Sequence, residues 1–138
     1  MAKQVTYNGP NPSSILGGAA IERKEQVDPE IKKQWVEALR SGTYKQGKGQ
    51  LCYTEDHFCC LGVLCDISGR GKWTTGKYGA SGYSVNKKKS EKDLLPPQIV
   101  TWAGLNSSDP VVSNMTLSEM NDSGFTFDEI ADNIEREL

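Results

Sequence analysis

HFCCLGVLCD, residues 57–66, holds three of the chain's four cysteines and its only histidine within ten residues. Cys52, the fourth cysteine, lies five residues before that histidine. The stretch can be read as a metal site, as a thiol nucleophile, or as apolar core built partly from cysteine. Read as a helix over 58–67, it sets Phe58, Leu61, Leu64 and Cys65 on one face and stops at Ser68-Gly69. A buried strand stays open as an alternative, because a continuous apolar run has no decisive period. Under either reading the segment is expected to be core.

The metal reading has enough donors: Cys52, His57, Cys59, Cys60 and Cys65 exceed the four that tetrahedral zinc needs. Their spacing is poor, however. No CxxC pair is present, and adjacent Cys59 and Cys60 would project about 100° apart on a helix. Small thiols packed beside leucines are the expected state, with no metal and no cofactor. The nucleophile reading would use Cys59 or Cys60, since a helix N-terminus lowers a thiol pKa. FCCLG resembles the nucleophile helix of small papain-like peptidoglycan hydrolases, whose base is a histidine on a later strand. No histidine follows His57.

Around this core segment, 138 residues make one domain. A charge of −2 gives no global case for nucleic acid or an anionic membrane, but the charge is uneven. Residues 70–92 hold seven basic side chains and one acid, and residues 105–138 hold eight acids and one base. No apolar run is long enough to span a bilayer, and no signal-like segment opens the chain. A cytoplasmic protein with reduced thiols is the expectation.

Residues 1–27 mix a strand candidate at 4–7 with Gly and Pro punctuation and read as an irregular arm. The domain is expected over 28–138. Asp28 and Pro29 open a helix whose stripe is Ile31, Trp35 and Leu39, and Gly42 closes it. Residues 73–85 suit a hairpin or loop, and 87–93 a charged linker. Pro96-Pro97 starts a short helix burying Ile99 and Trp102, closed by Gly104. Trp35 and Trp102 are expected to be buried and Trp73 exposed. Thr116-x-x-Glu119 and Thr126-x-x-Glu129 read as capping boxes, with Ile130, Ile134 and Leu138 along the last helix. Asn121-Asp122-Ser123-Gly124 reads as a turn between them. The fold class is α+β, with short helices on a small antiparallel sheet.

Two further stretches carry candidate binding residues. GTYKQGKG, residues 42–49, matches a phosphate-cradling loop except for the missing Ser or Thr at its end, and it follows a helix instead of a strand. It reads as a Gly-rich turn at which Lys45 and Lys48 can meet an anion. Residues 70–89 interleave Trp73, Tyr78 and Tyr83 with Lys72, Lys77 and Lys87, a composition able to stack bases and neutralise phosphates.

WVEALRSGTYKQGKGQL, FCCLGVLCD, LPPQIVTWAGL and LSEMNDSGFTFDEIADNIE, in that order, resemble a group of small, functionally unassigned proteins encoded in bacteriophage genomes and prophages. The likeness covers roughly residues 30–69 and 94–137. It implies an accessory protein inside an infected bacterium and brings no catalytic residues with it. The expected function is binding of a host protein or of a host signalling or defence molecule. A nucleic-acid module using residues 70–89 is the alternative, and a cysteine-dependent enzyme the third reading.

Overall fold

The computed structural model describes residues 27–54, 56–75 and 81–138. Lys77, Tyr78 and the arm, apart from Val27, lie outside them. Helix α1 (Pro29–Arg40) starts where Asp28 accepts hydrogen bonds from Glu30 N–H at 2.9 Å and Ile31 N–H at 3.3 Å. Its buried stripe is Ile31, Trp35, Val36 and Leu39, which packs on the last helix and on the cysteine-rich one. Trp35 is fully buried, and its indole N–H donates to Cys60 C=O at 2.9 Å.

Strands β1 (Lys45–Gln46), β2 (Cys52–Thr54), β3 (His57–Phe58), β4 (Gly71–Thr75) and β5 (Ser81–Val85) form one sheet in the order β1-β3-β2-β5-β4. Its pairs are antiparallel apart from β1 with β3. Helix α2 (Cys60–Ser68) follows β3, and α3 (Pro97–Ala103) follows the sheet. A ribbon of β6 (Val111–Val112) and β7 (Met115–Thr116) leads into α4 (Leu117–Asp122) and α5 (Phe127–Glu137). The protein is thus an α+β fold with a small, mostly antiparallel sheet. Thr126 and Glu129 form the reciprocal capping box expected at α5, whereas Thr116 caps α4 in one direction, by accepting from Glu119 N–H.

The cysteine-rich stretch is core, but its helix begins two residues later than the sequence suggests. His57 and Phe58 are drawn into the sheet, where Phe58 C=O accepts from Gly47 N–H at 2.8 Å. Cys59 N–H then donates to Leu51 C=O at 3.1 Å, and only from Cys60 does the chain coil. Nor does α2 have a single apolar face. Every residue from Cys60 to Cys65 is buried, so the helix is enclosed on all sides. Small residues make that enclosure possible. A Cβ on Gly62 would stand 1.9 Å from the Leu51 carbonyl oxygen. Gly69, at φ 62°, ends the helix in the left-handed conformation.

Four rings form a ladder beneath the sheet. Tyr44 meets Phe58 edge-on at 5.0 Å, Phe58 meets Trp73 at 5.6 Å, and Trp73 meets Tyr83 at 4.8 Å between centroids. Trp73 is therefore half-buried, contrary to its expected exposure, because the β4–β5 register places it opposite Tyr83 on the core side. Trp102 is also half-buried, at the rim of α3, and not inside as expected.

Replacing Gly62 by Ala is predicted to cost about 3 kcal/mol or more, because only movement of the Leu51 backbone makes room. Urea denaturation of the variant measures this. A loss under about 1 kcal/mol would show that α2 and Leu51 are not in this contact.

Candidate functional site

The Gly-rich loop is held by side-chain amides. Asn121, on α4, is fully buried. Its Oδ1 accepts from Gln46 Nε2 at 3.1 Å and from Cys60 N–H at 3.2 Å, and its Nδ2 donates to Gly47 C=O at 2.7 Å. Gln46 Nε2 also donates to Phe125 C=O at 2.7 Å, while its Oε1 accepts from Phe127 N–H at 3.0 Å at the start of α5. Gly49 N–H, which would face a phosphate, donates instead to Asp122 Oδ1 at 3.0 Å. Lys45 pairs with Asp56 at 3.5 Å, and Lys48 is exposed. A carboxylate already occupies the position an anion would take. The segment 121–124 is thus more than the turn it resembles. Its signal was present in the sequence: with Leu117 and Met120, Asn121 shares the buried face of α4 at the i, i+3, i+4 spacing.

All four thiols are buried, and three of them have raised pKa values. Cys59 takes the N-cap position of α2, yet desolvation pushes its pKa up to about 11. The backbone N–H groups of Gly62 and Leu61 pull it only partly back, and Asp122 and Asp109 push it further up. Burial likewise holds Cys60 and Cys65 well above the ordinary thiol value. At both cysteines that open α2, desolvation outweighs the helix dipole. Cys60 Sγ rests against Leu117 C=O at 3.5 Å. Cys52 is buried in β2. His57 is half-exposed, with Nδ1 2.8 Å from Asp56 Oδ1. Among the described residues no three His, Cys, Asp or Glu side chains converge to hold a metal ion.

The basic segment is different, because Trp73 and Tyr83 turn inward whereas Arg70, Lys72 and Lys87 line an open face. Tyr83 is 2% exposed, and its hydroxyl accepts from Gly71 N–H at 2.7 Å. Trp73 Nε1 donates to Asp66 Oδ1 at 2.9 Å, and Tyr44 donates to Oδ2 of the same carboxylate at 2.6 Å. Neither Trp73 nor Tyr83 is a solvent-facing stacking platform. On the other face of the hairpin lies a cleft of about 580 Å³ lined by Arg70, Lys72 and Lys87 together with Thr74, Ser84 and Asn86. None of its described lining residues is acidic. Arg70 lies over the Trp102 ring, 5.6 Å from its centroid. A hollow of about 490 Å³ beside α1 holds Lys32, Lys33 and Arg40, but Glu37 and Glu135 offset them. A third, of about 210 Å³, is lined by Gln50, Cys59, Asp93 and Asp122. The hairpin cleft combines volume with unopposed charge and is the candidate site.

The buried thiols set a pH dependence. Their folded pKa values lie above the unfolded ones, so above about pH 9 unfolding releases protons that the fold retains. Stability is predicted to fall from pH 9 upward, with a slope approaching about 1.4 kcal/mol per pH unit for each thiol, until the folded pKa is reached. Denaturation midpoints across that range measure it, with Ellman's reagent expected to label the thiols only after unfolding. Flat stability between pH 9 and 11, or rapid labelling of the native protein, would contradict the burial described.

No helix among the described residues is long and apolar enough to cross a membrane. Neither the curated proteins nor the solved structures contain a match to the chain. A family model does match, over residues 27–138, which span α1 to α5 with both sheets and the hairpin cleft. The chain therefore belongs to the family described as Domain of unknown function (DUF8296).

Proposed function

We propose that the protein is a phage or prophage accessory protein acting in the cytoplasm of an infected bacterium. It works by binding a host protein or a small host molecule, without a catalytic step. The phage assignment rests on the four ordered motifs. The binding assignment rests on one observation: Arg70, Lys72 and Lys87 line a single cleft and make no ion pair with a described residue. Cations gathered with no described acidic partner are available to an incoming anionic group. Cys59, Cys60 and Cys65, by contrast, lie inside the fold with raised pKa values, which weighs against a cysteine-dependent enzyme.

A nucleic-acid module is the second reading, favoured by the same three cations. It is weakened by the inward-facing rings of Trp73 and Tyr83 and by the acidic residues over 105–138, which oppose a long polyanion.

The test compares the full chain with an Arg70→Ser, Lys72→Ser, Lys87→Ser variant, both immobilised and exposed to bacterial lysate. Retained proteins and small molecules are identified by mass spectrometry. The wild-type chain is predicted to retain a host component that the variant loses, with the variant still folded by circular dichroism. Equal retention by both, or none by either, would overturn the assignment of binding to this cleft.

A further inference from the structure

Lys87 occupies a backbone position that its side chain disfavours. At the end of β5, Asn86 and Lys87 both have positive φ, 56° and 60°, and Lys88 N–H donates to Val85 C=O at 3.0 Å. Two successive left-handed residues closed by such a bond mark a type I′ turn, whose second central position favours glycine. Among the described residues the other non-glycine positions with positive φ are Asn86, Ser113 and Asn114, all short and polar. Lys87 is the exception. A residue that breaks the local rule without a local gain points to a function for its side chain.

Lys87 is one of the residues that line the hairpin cleft. In the β4–β5 register Lys72 lies opposite Ser84 and Thr74 opposite Gly82, so Lys72, Thr74 and Ser84 share the solvent face. Trp73 and Tyr83 point the other way, into the core. Arg70 arrives from the segment before β4, over the Trp102 ring. Three cations thus meet at one cleft of about 580 Å³, within the size range of small-molecule sites. A monocarboxylate would offset only one of three cations that form no ion pair with a described residue. A phosphate monoester carries about two negative charges and three acceptor oxygens, and so matches them better.

We infer that this cleft binds a small phosphorylated molecule, no larger than about a mononucleotide, and that Lys87 holds its phosphate at the expense of backbone strain. This rests on the binding function proposed above and adds the ligand class and the residue that sets it. A long nucleic acid is disfavoured, since neither Trp73 nor Tyr83 is open to stack on bases.

The experiment is calorimetric titration of the full chain with inorganic phosphate, adenosine 5′-monophosphate, adenosine and a single-stranded oligonucleotide. The monophosphate is expected to give a saturable isotherm that weakens with salt, and adenosine none. Lys87→Gly is expected to raise the melting temperature, because it relieves the left-handed strain, and to weaken the monophosphate by about tenfold or more. Lys72→Ser is expected to weaken it with the melting temperature unchanged. No binding of either phosphate probe, or an affinity that Lys87→Gly leaves intact, would overturn the inference. So would an oligonucleotide bound more tightly than the monophosphate, which would favour the nucleic-acid reading. If the phosphate probes fail while the cleft still retains a host protein from lysate, the ligand class falls and the binding function stands. If both fail, both fall.

Discussion

A buried side-chain amide, that of Asn121, holds four parts of this fold in register. It accepts from the first N–H of α2 and from Gln46, and it donates to the loop after β1. Gln46 passes the connection on to the residues that open α5. Asn121 is fully buried and its partners are at least partly so, and a buried group left without its partner costs about 1–3 kcal/mol. The loop that resembles a phosphate cradle, the start of the enclosed helix and the last two helices therefore move together. Asp122, next to Asn121, also engages the loop by accepting from Gly49 N–H.

Elements governed by local chemistry were legible in the sequence. Asp28-Pro29 opens α1, Thr126 and Glu129 cap α5, and Gly104 closes α3, each through contacts within a few residues. The start of α2 was not legible, because it depends on distant partners. Phe58 is a strand residue only because β1 and β2 flank it. Enclosure of α2 on every side was hidden for a related reason. Periodicity reports one face, whereas Cys and Gly at 59–65 let neighbours approach all round.

The candidate site was legible in composition and not in geometry. The excess of lysine and arginine over 70–92 is plain from the chain, and so is its interleaving with Trp and Tyr. Which cations share a cleft follows from the β4–β5 register, which also turns Trp73 and Tyr83 inward. Lys77 and Tyr78, read together with them, fall outside the described residues. The tension at Lys87 shows only once its φ is known. Lysine in a tight turn is unremarkable until the turn proves to need glycine.

The molecule divides into an interior that carries the cysteines and a surface cleft that gathers Arg70, Lys72 and Lys87. Amide-resolved NMR of the full chain, titrated with adenosine 5′-monophosphate, tests that division most directly. Shifts are predicted to be confined to residues 69–74 and 84–87 and the Trp102 indole, with the amides of 59–65 unmoved. Shifts centred on Cys59 and Cys60, on the loop at 45–49, or absent throughout would contradict it.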